Sequence, residues 1–146
     1  MIKRRLKAVV GRAELVDIPV GGVYNVPAKI DTGAYRTSIW ASDIEVKDGV
    51  LYFKLLGPAC AQYSGEEVST DKYELIEVEN SFGHKEKRYS IHLSIRMGTK
   101  KVMTNVTLSD RSNKTYPILI GRKMLRGKYL VDVSEGQPLK DEENEG

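Results

Sequence analysis

Ala28-Lys29-Ile30-Asp31-Thr32-Gly33-Ala34 carries an apolar, strand-like stretch straight into a carboxylate, a hydroxyl and a glycine. A carboxylate just beyond a strand end rests on a rigid support, Gly33 lets backbone N–H groups approach it closely, and Thr32 brings a donor and an acceptor that can fix the loop. Such a segment can hold a reactive carboxylate still. One carboxylate cannot serve as both general base and general acid in peptide hydrolysis. Two sharing a proton can, because like charges about 3 Å apart do not both ionise. The chain has no second Asp-Thr-Gly, so a pair requires a twofold dimer in which Asp31 faces its mate. By itself the triplet is a weak signal, since Asp and Gly are common turn residues.

Further along, Tyr116-Pro117-Ile118-Leu119-Ile120-Gly121-Arg122-Lys123-Met124-Leu125 reads as a short buried strand, a glycine turn and a short helix over Arg122 to Arg126. Between the two segments the dominant period is two. Tyr89, Ile91, Leu93, Ile95 and Met97 fall on one face and Ser90, His92, Ser94 and Arg96 on the other; Gly98-Thr99-Lys100 turns, and Val102, Thr104, Val106 and Leu108 alternate again. Residues 89–108 are therefore expected to form a hairpin. Val9 to Pro19, Val26 to Ile30, Ile39 to Val46 and Val50 to Leu56 read as four further strands, with Asp48-Gly49 as the turn between the last two. Glu67 to Val78 reads as one more, and Tyr129-Leu130-Val131 precedes the polar tail. The fold class is all-β with one short C-terminal helix.

The 146 residues are enough for one domain with a real core. We expect a single domain over residues 1–138, followed by an acidic, disordered tail over 139–146. Hydrophobic residues are 40% and charged residues 29% of the chain, a globular balance, and a net charge of +3 does not point to nucleic acid. Lys3, Arg4, Arg5 and Lys7 read as a solvated terminus. The apolar run Ala8 to Val10 is too short for a signal-peptide core, and no stretch approaches the roughly 20 residues of a membrane helix, so a cytoplasmic location is expected. Cys60 has no partner for an internal disulfide, and with only His84 and His92 beside it no zinc-ligand set is recognisable; no metal or other cofactor is expected.

The Asp-Thr-Gly loop and the Ile118-Leu119-Ile120-Gly121 strand with its following helix, in that order, resemble the two elements that retropepsins place side by side. The resemblance extends to the small retropepsin-like proteins that carry the name ATP-dependent zinc protease. It rests on Val10-Gly11-Arg12-Ala13-Glu14-Leu15-Val16-Asp17-Ile18-Pro19, Ala28 to Ala34, Leu108-Ser109-Asp110-Arg111-Ser112 and Ile118 to Arg122. It implies a closed, barrel-like β fold, a homodimeric aspartic endopeptidase whose dyad is Asp31 from each subunit with Thr32 and Gly33 shaping the loop, and a peptide or protein substrate. Some members are associated with ATP-grasp glutamate ligases. The zinc and the ATP of the name find no counterpart here, since neither a His-Glu-x-x-His segment nor a Gly-Lys-Ser/Thr phosphate loop occurs.

This chain departs from that pattern at two places. Tyr35 and Arg36 stand where retroviral relatives have acidic residues, which removes an ion pair for Arg122, and Lys114 stands where the family usually has an apolar Met. Asn80 to Lys85 occupies the place of a substrate-covering flap, with Phe82 and Gly83 at its tip. Ala34, Ile118 and Ile120 are further candidates for substrate contact; Tyr35 and Trp40 follow the loop closely enough to line a cleft, although Trp40 is expected in the core; and His84 and His92 read as solvated. Pepsin-like sites often carry a hydroxyl at the position of Ala34; its absence implies a pH optimum nearer neutrality. Two rival readings stand beside peptide hydrolysis by the dyad. One is a non-catalytic module that binds a peptide or a partner such as a glutamate ligase, and the other is metal-dependent hydrolysis.

Overall fold

The structure, a computed structural model, describes residues 6–79 and 82–136. The acidic tail, Lys3, Arg4, Arg5, Asn80 and Ser81 lie outside the described residues. Eleven strands and one short helix follow in order: β1 Ala8–Val10, β2 Ala13–Ile18, β3 Val23–Ile30, β4 Thr37–Lys47, β5 Val50–Leu55, β6 Glu67–Thr70, β7 Glu74–Glu79, β8 Lys85–Met97, β9 Lys100–Ser109, β10 Ile118–Ile120, α1 Arg122–Leu125 and β11 Tyr129–Val131. A single 3-10 turn, Pro19–Gly21, links β2 to β3.

Six strands close on themselves in the order β10, β3, β2, β8, β9, β4 and back to β10. The closure depends on β10, which is only three residues long. It runs parallel to β3, pairing Ile118, Leu119 and Ile120 with Ala28, Lys29 and Ile30, and antiparallel to β4 through Ile118–Ile39 and Leu119–Ser38. A closed ring leaves none of its six strands as an open sheet edge. Strands β5 and β6 extend the sheet beyond β4, β7 flanks β8, and β1 with β11 makes a separate two-stranded parallel ribbon.

The local signals explain most of these elements. The β8–β9 hairpin turns on Gly98-Thr99, with Met97 opposite Lys100 and Gly98 at φ +64°. Lys47 and Val50 pair across Asp48 and Gly49, whose φ values of 51° and 76° are the two left-handed positions of a two-residue hairpin turn. Ile91, Leu93, Ile95 and Met97 all point into the core, where they meet Val102, Val106 and Leu108 from β9. Ser90, placed on the solvated face by alternation, is instead buried, because β7 covers it from Glu74.

Two strands expected to be continuous are each split. Val9 to Pro19 breaks at Gly11-Arg12, where the C-terminal turn crosses so closely that a Cβ on Gly11 would lie 2.3 Å from the Glu135 carbonyl oxygen. There the backbone exchanges partners: β1 pairs with β11, whereas the Arg12 carbonyl accepts the Ile30 N–H at 2.9 Å and β2 pairs with β3. Glu67 to Val78 breaks at residues 71–73, where Thr70 Oγ1 accepts the Lys72 N–H, and the halves serve different neighbours, β6 on β5 and β7 on β8. In both places only a long-range partner decides the break.

The ribbon is pinned to the ring by Tyr129, buried on β11, whose hydroxyl donates to the Met97 carbonyl at 2.9 Å. Burial raises the phenol pKa above its usual 10.0. The contribution of this group is therefore complete below pH 10 and is lost as pH rises through the higher folded-state value. Tyr129→Phe leaves the Met97 carbonyl without this donor and should lower the unfolding free energy by about 1–2 kcal/mol, read from urea denaturation near pH 7. An unchanged midpoint and slope would show that this hydrogen bond does not pin the ribbon to the ring.

Candidate active site

Asp31 leaves the ring at the end of β3. Its N–H donates to the Ile120 carbonyl at 2.9 Å, continuing the β3–β10 pairing by one bond, and its own carbonyl accepts the Ala34 N–H at 3.2 Å. The carboxylate oxygen Oδ1 accepts the Gly33 N–H at 3.0 Å. A Cβ on Gly33 would stand 3.2 Å from that oxygen, which is why the smallest residue follows Thr32. The carboxylate thus comes from a fixed strand end, half-buried, with Thr32 and Gly33 exposed beside it and Ala34 half-buried behind them.

The other wall of the loop is Gly121 and α1. Gly121 is buried and donates its N–H to Thr37 Oγ1 at 3.1 Å, and a Cβ at Gly121 would meet the Arg36 carbonyl oxygen at 2.4 Å. The next two amides reach back across the loop, Arg122 N–H to the Ala34 carbonyl at 2.8 Å and Lys123 N–H to the Tyr35 carbonyl at 3.1 Å. The Arg122 guanidinium donates to the Gly33 carbonyl at 3.2 Å and reaches that of Thr32 at 3.5 Å. With no acidic residue at position 35, Arg122 stacks on the Tyr35 ring, its Cζ 5.4 Å from the ring centroid. The missing ion pair is thus replaced by an aromatic face and two carbonyls. Beneath, Ser38 and Ser109 share a buried hydrogen bond of 2.8 Å that joins β4 to β9.

Arg111 lies within electrostatic reach of Asp31. It follows β9, and its Nε donates to the Tyr116 carbonyl at 3.0 Å. Burial is the main force drawing its pKa below the ordinary guanidinium value, Arg88 adds to that, and the Asp31 charge opposes both. A guanidinium stays charged throughout the working range, so Arg111 is a permanent cation near the carboxylate. With Lys29, Lys114, Thr115 and Tyr116 it lines a cavity of about 170 Å³. Lys114 is exposed, and its N–H closes a turn to the Arg111 carbonyl at 2.9 Å, so the position tolerates a polar side chain.

The sequence-derived candidates separate into groups. Asp31, Thr32, Gly33 and Ala34 stand together in one loop. Phe82 is 85% exposed and Gly83 has φ +79°, both in the connection between β7 and β8. Ile118 and Ile120, expected to line a cleft, are fully buried in the core; the alternation that buries them turns half-buried Leu119 to the other face of β10, beside Lys29. Trp40 is half-buried and packs on the core against Gly57, and His84 and His92 are exposed. Sequence reasoning missed Thr37, Arg111 and Leu119. Period two sets Leu119 opposite its two isoleucine neighbours, but which face meets the core follows only from the pairing of β10; Arg111 stood in the Leu108 to Ser112 block without a role, and nothing local marks Thr37. Among the described residues no group of three or more His, Cys, Asp or Glu could hold a metal ion, so nothing here fits a zinc centre.

A six-strand β ring closed by a short Ile-Leu-Ile strand, with Asp-Thr-Gly at the end of its parallel neighbour, defines a retropepsin-like domain. The chain belongs to the RimB-like family, described as retropepsin-like aspartic endopeptidase RimB, whose profile matches residues 9–140. Similar curated proteins include the probable alpha-L-glutamate ligases of Shewanella pealeana, 29% identical over 139 residues, and of Parasynechococcus marenigrum, 26% identical over 145 residues. These alignments cover 88% and 92% of this chain but only 29% and 30% of those proteins, so the chain spans less than a third of their length. A crystal structure of a Legionella pneumophila protein of unknown function superposes with a TM-score of 0.65 at 26% identity, covering 89% of this chain and 96% of that one.

Gly121→Ala tests the packing of the loop against α1. The added methyl has no room beside the Arg36 carbonyl, and the substitution should destabilise the fold by about 1–3 kcal/mol in chemical denaturation. A wild-type midpoint would mean that the loop is free to shift away from Gly121.

Proposed function

We propose that the protein is an aspartic endopeptidase that works as a homodimer, with Asp31 of each subunit forming the dyad. The observation that carries this reading is Asp31 itself, held at the end of β3 with Oδ1 on the Gly33 N–H and its backbone tied to β10. In the dyad one carboxylate accepts a proton from water as that water attacks the scissile carbonyl. The other, protonated, donates a hydrogen bond to the carbonyl oxygen and then delivers its proton toward the leaving amine. Thr32 and Gly33 shape the loop, and Ala34 backs it with a methyl in place of a hydroxyl. Phe82 and Gly83, at the end of the β7–β8 hairpin, are suited to closing over bound peptide. A cytoplasmic setting accords with the lone cysteine, and no cofactor is required.

The glutamate ligase relatives favour a second reading. A region like this chain forms part of those longer proteins, so the domain could serve as a non-catalytic module that holds a peptide or an ATP-grasp glutamate ligase. The dimer separates the two readings, because a dyad cannot exist in a monomer.

Light scattering over a concentration series, with and without peptide substrate, should find a dimer, and Asp31→Asn should lower peptide cleavage by at least about 100-fold while leaving dimer and fold intact. A monomer under every condition that binds peptides without cutting them would establish the module reading. The pH–rate profile should peak nearer neutrality than that of pepsin, because no hydroxyl at position 34 stabilises the ionised pair; a maximum below about pH 3 would contradict the role given to Ala34.

A further inference from the structure

We infer that Tyr35 is a positioning residue: its ring, clasped by Arg122, holds the Asp31 loop in register with α1. The inference rests on the peptidase reading for its kinetic consequence but not for its structural one. Three cations surround this ring, Arg122 Cζ at 5.4 Å, Lys123 Nζ at 5.9 Å and Arg36 Cζ at 6.0 Å from its centroid. None of the ion pairs formed among the described residues includes any of the three. Three like charges so close together repel; the face of the ring offsets part of that repulsion, beside the Asn105 Oδ1 that accepts from Lys123 and the carbonyls that accept from Arg122. Arg122 cannot swing away without losing its bonds to the Gly33 and Thr32 carbonyls, which belong to the two residues that follow Asp31.

The backbone around Tyr35 is bound to α1 at the same point. Its carbonyl accepts the Lys123 N–H, the preceding carbonyl accepts the Arg122 N–H, and the following one is pressed against Gly121. Tyr35 is 46% exposed, with the three cations around its ring rather than core side chains. Position 35 therefore offers an aromatic face to cations that a carboxylate could also meet. A carboxylate there should substitute for the ring, whereas an aliphatic side chain of similar bulk should not.

The test compares Tyr35→Leu, Tyr35→Phe and Tyr35→Glu. In Tyr35→Leu the Arg122 and Lys123 amides should exchange with solvent at least tenfold faster, and the Arg122 side-chain NMR signals should lose their ring-current shift. With cleavable peptide, kcat should fall about 10- to 100-fold with KM changed less than threefold, because the carboxylate is misplaced while the substrate-contacting surface remains. Tyr35→Phe keeps the face and Tyr35→Glu supplies a counter-charge, so both should restore slow exchange and at least half of the wild-type kcat. Wild-type exchange and Arg122 shifts in Tyr35→Leu would overturn the inference. So would a failure of both restoring variants, which would mean that the phenol hydroxyl or simple packing is what matters. If the wild-type protein cleaves nothing, the peptidase reading fails, and the exchange and NMR measurements still decide whether Tyr35 anchors the loop.

Discussion

The pairing of a three-residue strand with two neighbours at once underlies everything else in this protein. Strand β10 must run parallel to β3 and antiparallel to β4 for the ring to close, and the bond from the Asp31 N–H to the Ile120 carbonyl is the last rung of that arrangement. The same rung delivers Gly121 to the loop that carries the carboxylate. Full burial of Ile118 and Ile120 stabilises β10 from the core side, so the hydrophobic effect sets the position of an otherwise weak element. A parallel pair needs a long connection, which here contains β4 to β9, so the site assembles only when most of the chain has folded.

Around this frame the electrostatics are lopsided. Arg111 lies within electrostatic reach of Asp31, and Arg122 donates to the carbonyls of the two residues that follow Asp31. Arg111 is partly desolvated and tied to the Tyr116 carbonyl, while Arg122 is divided between carbonyl oxygens and an aromatic face. Backbone bonds from Arg122 and Lys123 to the Ala34 and Tyr35 carbonyls tie the loop to α1, and the Tyr35 ring with Arg122 adds a side-chain tie at the same place.

Much of this was legible in the residues. The alternation from Tyr89 to Met97, the Asp48-Gly49 turn and the Gly98 turn are local signals, and local chemistry suffices to read them. Asp31 was visible because strand, carboxylate, hydroxyl and glycine are contiguous. The two split strands were not legible, because the apolar pattern runs on through Gly11-Arg12 and through residues 71–73 while the hydrogen-bonding partner changes. Ile118 and Ile120 were misdirected for a related reason: adjacency to a catalytic-type loop suggested a cleft wall, and only the double pairing of β10 shows that their side chains face the core.

Composition, period and the Asp-Thr-Gly segment by themselves determined an all-β domain with a single carboxylate of interest at a strand end, since strands, turns and short motifs are written in neighbouring residues. The tertiary structure alone decided which strands meet, that Thr37 holds Gly121, that Arg111 stands within reach of Asp31 and that Tyr35 receives Arg122. Those contacts join residues some 70 to 90 positions apart in the chain, and no local pattern encodes a partner at that separation. It is set by the closure of the ring, which brings distant residues together to satisfy backbone hydrogen bonds and bury one common core.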